Sequence, residues 1–277
     1  MSRRTEKPFW DPDALQAQFH TKVLGRRLIV FNRITSTNDF LKRLARRGAQ
    51  EGTLVLADEQ TAGRGRLGRP WQSLPGRGLW FSMLLRPELR LENIGALSLA
   101  IAAVVAETLS AICSCTFAVK WPNDILWNNC KICGILCETQ ISPTSNVSTP
   151  PDQLDYVVAG IGINVNHRPE DFAPEWQKRA ASLAMIIDRP IDRQKVLVAL
   201  VQHLDKALFE NLPNALPALL SRWRALCREL GNTVTLRLGQ TTTSGVFEDI
   251  GAGGELILRL ANGQRQAYAA GEVTIAK

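Results

Sequence analysis

The chain has 277 residues, 45% hydrophobic and 21% charged, which is enough apolar material for one sizeable core with a small appendage and excludes a disordered chain. Its net charge of +7 is uneven: residues 1–90 carry 17 basic and 8 acidic side chains, and residues 91–277 carry 16 and 18. The surplus in the first third points to an anionic ligand or partner there, with nucleotide and nucleic acid as the first candidates.

Residues 1–24 are polar and aperiodic, with Pro8 and Pro12, and read as an arm or short helix. Their basic residues precede no apolar run, so no signal peptide is read and a cytoplasmic location is expected. Residues 28–31 read as a buried strand. Ser36 then caps a helix with apolar Phe40, Leu41, Leu44 and Ala45 that ends near Gly48 and carries Lys42, Arg43, Arg46 and Arg47 on its outer face. A second strand over 53–57 leads into a Gly/Arg loop over 61–78, and a third strand covers 79–85. Residues 93–111 predict a long apolar helix fit to cover a sheet, whose most apolar run stops at Glu107, short of the roughly 20 residues of a bilayer span. Strands follow at 117–121, 125–127, 131–139 and 156–165, with Asn128 and Asn129 as a turn among them. Residues 141–153, rich in Ser, Thr and Pro, read as a mobile loop. Two or three helices over 172–230 end at Gly231, and five short strands between Val234 and Ile275, separated by Gly/Asn turns, read as a small β-barrel appended to an α+β core.

Three segments carry chemistry. The G-R-G-R-L-G run over residues 63–68 has the spacing of a dinucleotide fingerprint, but Arg69, Pro70, Trp71 and the residues on to Gly76 cannot open the helix that such a loop must feed. What is left is a glycine-rich basic loop with Arg64, Arg66, Arg69 and Arg77, in which backbone N–H groups converge on an anion and guanidinium groups add paired donors. The plain alternative is a solvated, flexible loop. Read as an RNA-binding segment, the tract is short and lacks an aromatic platform.

The second segment is K-W-P-N-D over 120–124, seven residues before Lys131. Asp124 and Lys131 fall on adjacent strands and are expected to form a cross-strand ion pair, either a fixed cation for an anionic ligand or an ordinary surface salt bridge. In the third, G-I-G-I-N-V-N over 160–166, glycines permit close backbone approach while Asn164 and Asn166 offer amides. Cys130, Cys133 and Cys137 have metal-like spacing, yet the last two fall in an apolar strand where a thiol is a small hydrophobe, so no metal site is assigned. His20, His167 and His203 form no recognisable dyad with a cysteine, and six cysteines are too few for a disulfide scaffold.

Taken in order, the S-T-N run over 36–38, the segment from Glu59 to Trp71, K-W-P-N-D, the strand from Lys131 to Glu138 ending G-I-L-C-E, G-I-G-I-N and the terminal β-barrel resemble the biotin protein ligases over most of the chain. The resemblance implies an α+β fold: a mixed central sheet flanked by helices, of class II synthetase-like type, with a small C-terminal SH3-like barrel. It divides the chain into an arm (1–27), a catalytic domain (28–230) and the barrel (231–277). It also implies a two-step reaction in which biotin and MgATP give biotinyl-5′-AMP, and the biotinyl group then passes to a lysine of a biotin carboxyl carrier domain. The implied biotin set is Ser36, Thr37, Asn38, Gln60, Gly63, Arg64, Gly65, Arg66, Lys131, Gly134 and Leu136, with Trp80 among the apolar walls. The implied nucleotide set is Arg66, Arg69, Trp71, Lys120, Asn123, Asp124, Lys131 and Asn164, with Gly271 and Glu272 near the ATP site.

Lys131, Arg66 and Arg64 are the expected catalytic residues, neutralising charge where carboxylate meets α-phosphate, with Mg²⁺ held mainly by the triphosphate. The loop is expected to close over the adenylate, with Trp71 against it; Leu67 and Pro70 depart from the family pattern there. Only about 27 residues precede the first strand, fewer than the roughly 50 of a small domain, so the expectation is a ligase without the DNA-binding domain of many relatives, with no DNA or membrane partner. Arg43, Arg46 and Arg47 are expected to attract the acceptor. The oligomeric state stays open, a homodimer through a sheet edge being one form. The alternatives are a lipoate or octanoate protein ligase or transferase and, from another class, a nucleic-acid-binding module.

Overall fold

The computed structural model describes residues 10–141, 153–210 and 212–275. The loop expected at 141–153 lies, apart from its two end residues, outside the described residues, as do the first nine residues of the expected arm. The arm's remainder forms a short helix, α1 (Pro12–Gln16), with Asp11 as its cap.

The larger sheet comprises β1 (Leu28–Ile34), β2 (Leu54–Gln60), β3 (Gly78–Leu85), β4 (Ala118–Lys120), β5 (Asp124–Trp127), β6 (Cys130–Ile141) and β7 (Leu154–Asn164) in the order β1-β2-β3-β7-β6-β5-β4. β1 and β2 run parallel, and every other neighbouring pair is antiparallel. The expected turn joins β5 to β6, with Asn128 and Asn129 both at positive φ, 45° and 65°, as a tight two-residue hairpin requires.

Alternation along the strands decides which face is which. Leu79, Phe81, Met83 and Leu85 of β3 and Val157, Ala159, Ile161 and Ile163 of β7 enter the main core, built with α3 (Ile94–Cys113), α5 (Arg193–Leu208) and α6 (Leu212–Leu226). The residues between them face α2 (Thr37–Ala45), whose Leu41 and Ala45 pack with Val55, Leu84, Tyr156 and Val158 in a smaller cluster. α4 (Leu183–Ile187) is a single short turn of helix.

One expectation about α3 is corrected. Its apolar run continues through Glu107 as a helix of 20 residues, long and apolar enough by length and composition to cross a membrane. Burial, not length, assigns it: Leu97, Ile101, Val105 and Leu109 are fully buried in the core, and Glu107 is ion-paired to Arg222 of α6.

The C-terminal strands β8 (Thr233–Leu238), β9 (Thr241–Ile250), β10 (Leu256–Arg259), β11 (Arg265–Tyr268) and β12 (Glu272–Ile275) form an antiparallel sheet in the order β11-β10-β9-β8-β12. It is tied to the larger unit by Ala96 N donating to Gly253 O (2.7 Å), Trp121 Nε1 donating to Gly254 O (2.9 Å) and Arg224 Nε donating to Asp249 Oδ1 (2.6 Å).

Candidate active site

A pocket of about 910 Å³ opens on the α2 face of the larger sheet. The biotin and nucleotide residues named from the sequence line it, together with Gly271 and Glu272 of the C-terminal unit; Trp80, expected among the apolar walls, does not, being fully buried beside Trp71. Its floor follows from two glycines. Gly134 of β6 and Gly162 of β7 are register partners, and a Cβ on either would lie 2.8 Å from the Trp71 ring. Two adjacent strands thus give up side chains at one spot, and the indole lies on the bare backbone, edge-on to Trp80 at 6.4 Å. Lys131 Nζ stands 5.1 Å from the Trp71 ring centroid and 2.6 Å from Asp124 Oδ1. The expected cross-strand ion pair is present, facing into the pocket.

The end beside α2 is lined by uncharged polar groups hydrogen-bonded to one another and to the scaffold. Ser36 caps α2, and Gln60 Oε1 accepts from Thr37 N (2.8 Å) and Thr37 Oγ1 (3.0 Å), while Gln60 Nε2 donates to Ser73 Oγ (3.1 Å). Asn38 Nδ2 donates to Glu138 Oε2 (2.8 Å) and Leu136 O (3.3 Å). Ser82 Oγ lies 2.7 Å from Thr37 Oγ1 and 2.6 Å from Asn38 Oδ1. Gly160 is obligatory beneath Asn38, because a Cβ there would collide with the amide. Ser36, Thr37, Asn38 and Ser82 are all buried, so their orientations are fixed before any ligand arrives.

The Gly/Arg loop folds as a small hairpin. Trp71 N donates to Gly63 O (2.8 Å), Gly65 N donates to Arg69 O (2.8 Å), and Arg64 bridges Pro70. At its tip a 3₁₀ turn (Arg66–Gly68) places Leu67 at φ 56°, 81% exposed. The three arginines of the hairpin have different fates. Arg64 forms a paired contact with Asp39 (2.5 and 2.6 Å) and reaches Glu138 (3.0 Å), which Lys42 also holds (2.6 Å). Those hydrogen bonds from Arg64 bring the Asp39 carboxyl down to about 2. Burial pushes Glu138 upward, but donors from Lys42, Asn38 and Arg64 outweigh it and the net shift is down. Arg69 is ion-paired to Glu272. The side chain of Arg66, half-buried, has no ion pair or hydrogen bond among the described residues; burial disfavours its charge, while the fields of Asp124 and Glu272 favour it.

Two residues expected near the nucleotide also donate to the scaffold. Asn123 Nδ2 donates to Ile135 O (2.7 Å), and Asn164 Nδ2 donates to Ala181 O (3.1 Å) and Lys131 O (3.3 Å). Both line the pocket, but their amides hold β6 and the residues beside Lys131. Sequence reasoning missed Ser82, Asp39, Ser73 and the partnership of Glu138 with Lys42. Ser82 alone carried a signal, as the one polar residue in an apolar strand. His167 was named but left unassigned; it lines the pocket, 2% exposed, stacked on Phe172 (5.2 Å), and burial lowers its pKa to about 4. Burial raises the thiols of Cys133 and Cys137, the latter to about 12, and among the described residues no group of three or more His, Cys, Asp and Glu is placed to hold a metal.

Residues 30–149 match the Biotin/lipoate A/B protein ligase family, and residues 230–275 match the Biotin protein ligase C terminal domain. The chain is 35% identical over 250 residues to the bifunctional ligase/repressor BirA of Bacillus spizizenii, covering 90% of this chain and 74% of the relative. It is 34% identical to the biotin–[acetyl-CoA-carboxylase] ligase of Paracoccus denitrificans, covering 87% and 97%. The biotin protein ligase of Aquifex aeolicus, solved with biotin and ATP, superposes with a TM-score of 0.74 at 31% identity, covering 91% of this chain and 99% of that one.

Proposed function

The chain belongs to the biotin protein ligase family, and from that premise we propose how its residues divide the work of making biotinyl-5′-AMP and passing the biotinyl group to a lysine of a biotin carboxyl carrier domain. The observation that carries the reading is the polarity of the pocket, neutral and hydrogen-bonding at one end and cationic at the other.

Biotin lies with its ureido ring at the neutral end. Ser36, Thr37, Asn38 and Gln60 supply donors and acceptors, and Gly63 and Gly65 let the loop backbone approach. Its valeryl chain runs past Leu136 and the indole of Trp71 that covers Gly134, which places its carboxylate toward Lys131 and Arg66. The nucleotide occupies the side bounded by Arg69, Trp71, Lys120 and Asp124. One carboxylate oxygen attacks the α-phosphorus, the bond from that phosphorus to the α,β-bridging oxygen breaks, and pyrophosphate leaves. Two anions must meet for this, so preorganised cations are the main need. Lys131 serves as a fixed charge held by Asp124, and Arg66 serves as the charge with no ion-pair partner among the described residues to surrender. Arg64, fully engaged by Asp39 and Glu138, acts here chiefly by anchoring the loop. Asn123 and Asn164 act by holding the strands that carry Asp124 and Lys131.

In the second step a neutral lysine amine of the carrier attacks the acyl carbon, the bond to AMP breaks, and the amine releases its proton. Until then the mixed anhydride must be kept from water, which is the work of the loop hairpin and Trp71. Magnesium enters with ATP on its phosphates. Of the carboxylates lining the pocket, Asp124 and Glu272 are each committed to cations, and no group of three or more His, Cys, Asp and Glu among the described residues forms a metal ligand set. The C-terminal sheet is read as an SH3-like barrel over 231–277, following an arm (1–27) and a catalytic domain (28–230). The exposed Arg43, Arg46 and Arg47 draw in the acceptor, the cytoplasm is the location, and β1, an edge strand, is where a homodimer would pair.

Incubation with ATP, a carrier domain and either biotin or lipoate tests the assignment by product mass. A biotinyl adduct on one lysine is expected, and a lipoyl adduct without a biotinyl one overturns it.

A further inference from the structure

The hairpin over the pocket carries arginines at 64, 66 and 69, and among the described residues only the outer two have ion-pair partners. Arg64 is fixed on α2 and β6 by Asp39 and Glu138. Arg69 reaches the opposite way, to Glu272, the first residue of β12. The two oxygens of Glu272 are taken separately, Oε1 by Arg69 and Oε2 by Arg237 of β8 at 2.7 Å. Glu272 and Arg237 are register partners on adjacent strands, so the carboxylate is held from its own sheet. The backbone behind it is equally constrained: Gly271 sits at φ 140°, and a Cβ there would collide with the Leu236 side chain of β8. The two carboxylates whose fields reach Arg66 are Asp124 and Glu272, and each already has cations of its own, Lys131 for the first and Arg69 with Arg237 for the second.

We infer that Glu272 is a positioning residue of the C-terminal sheet: held by Arg237, it latches Arg69 and closes the second end of the Gly/Arg hairpin, leaving Arg66 unpaired over the pocket. Each ion pair alone is partly exposed and weak. The latch matters because the hairpin is already anchored through Arg64, so the second contact forms within one molecule at high effective concentration. The C-terminal unit thereby contributes to retention of the reactive intermediate through one side chain that touches neither reacting group.

The inference rests on the ligase reading for one of its two readouts. With unaltered protein and Glu272→Gln in excess over biotin and ATP, and no acceptor present, the rate of loss of bound biotinyl-adenylate is followed. Loss about fivefold faster in Glu272→Gln is expected, with the affinity for biotin alone changed less than twofold, and with Glu272→Asp, which keeps the charge, recovering most of the retention. The second readout needs no ligand: trypsin cleavage after Arg66, at the exposed tip of the hairpin, is expected about threefold faster in Glu272→Gln than in the unaltered protein and close to unaltered in Glu272→Asp. Equal cleavage rates in all three proteins overturn the latch whatever the reaction is, as does equal retention of the adenylate. Absence of adenylate from the unaltered protein overturns the ligase reading instead and leaves the cleavage result to decide the latch.

Discussion

The two faces of the seven-stranded sheet are written in the same strands but obey different rules. On β7, Val157, Ala159, Ile161 and Ile163 bury under α3, α5 and α6, while the intervening Tyr156, Val158, Gly160, Gly162 and Asn164 change character along the strand. The first two pack under α2, the glycines give a floor to Asn38 and Trp71, and Asn164 braces the strand carrying Lys131. β6 repeats the arrangement with Cys133 and Ile135 inward and Gly134, Leu136 and Glu138 toward the pocket side. A one-residue step thus separates side chains that hold the fold from side chains, or missing side chains, that build the site.

The largest expected effect lies on the pocket face. Lys131→Ala is expected to slow single-turnover adenylate formation about 10³-fold, the order for removing a preorganised charge from a developing anion, with little change in melting temperature. A rate near that of the unaltered protein would end its assignment. Neighbours on β7 separate the faces more finely. Ile161→Ala, in the core, is expected to cost about 3–4 kcal/mol in denaturant titration while the folded fraction binds biotin normally. Gly162→Ala, one residue on, is expected to reverse this: a methyl 2.8 Å from the Trp71 ring displaces the indole, weakening biotin and ATP binding about tenfold in calorimetry and costing under about 1.5 kcal/mol of stability.

His167, buried and neutral at the edge of the floor, gives a pH test. Its folded pKa is about 4, below the ordinary 6.5, so the unfolded chain binds its proton first as pH falls. Stability should therefore drop between about pH 6.5 and 4, by about 3 kcal/mol at the lower end, and His167→Gln should flatten that slope; an unchanged slope would assign it to other groups. The smallest effect is expected for Ser82→Ala, which removes the hydroxyl joining Thr37 to Asn38. A loss of about 1 kcal/mol of stability with a several-fold rise in the biotin dissociation constant would show that this end is preorganised from behind.

Much of this was legible because the period-two pattern was. The strands, the Asn128 and Asn129 turn, the Ser36 cap and the five C-terminal strands all follow from local alternation and turn chemistry, and the motif residues do line one pocket. Partnerships were not legible. Whether Arg64 faces a ligand or Asp39 and Glu138, and whether Asn123 and Asn164 offer amides outward or spend them on backbone carbonyls, depends on contacts between segments far apart in the chain. The latch of Arg69 on Glu272 spans some two hundred residues, and the apolar run of α3 looked cut at Glu107 because the partner of that carboxylate, Arg222, lies on another helix.

The most direct measurement is exchange of labelled pyrophosphate into ATP, which reports only the first step and needs no acceptor. Exchange that requires biotin, is not supported by lipoate and is abolished in Lys131→Ala is the predicted result. Exchange without biotin, or biotin-dependent exchange undiminished in Lys131→Ala, would contradict the placement of the reaction on the glycine-floored face of the sheet.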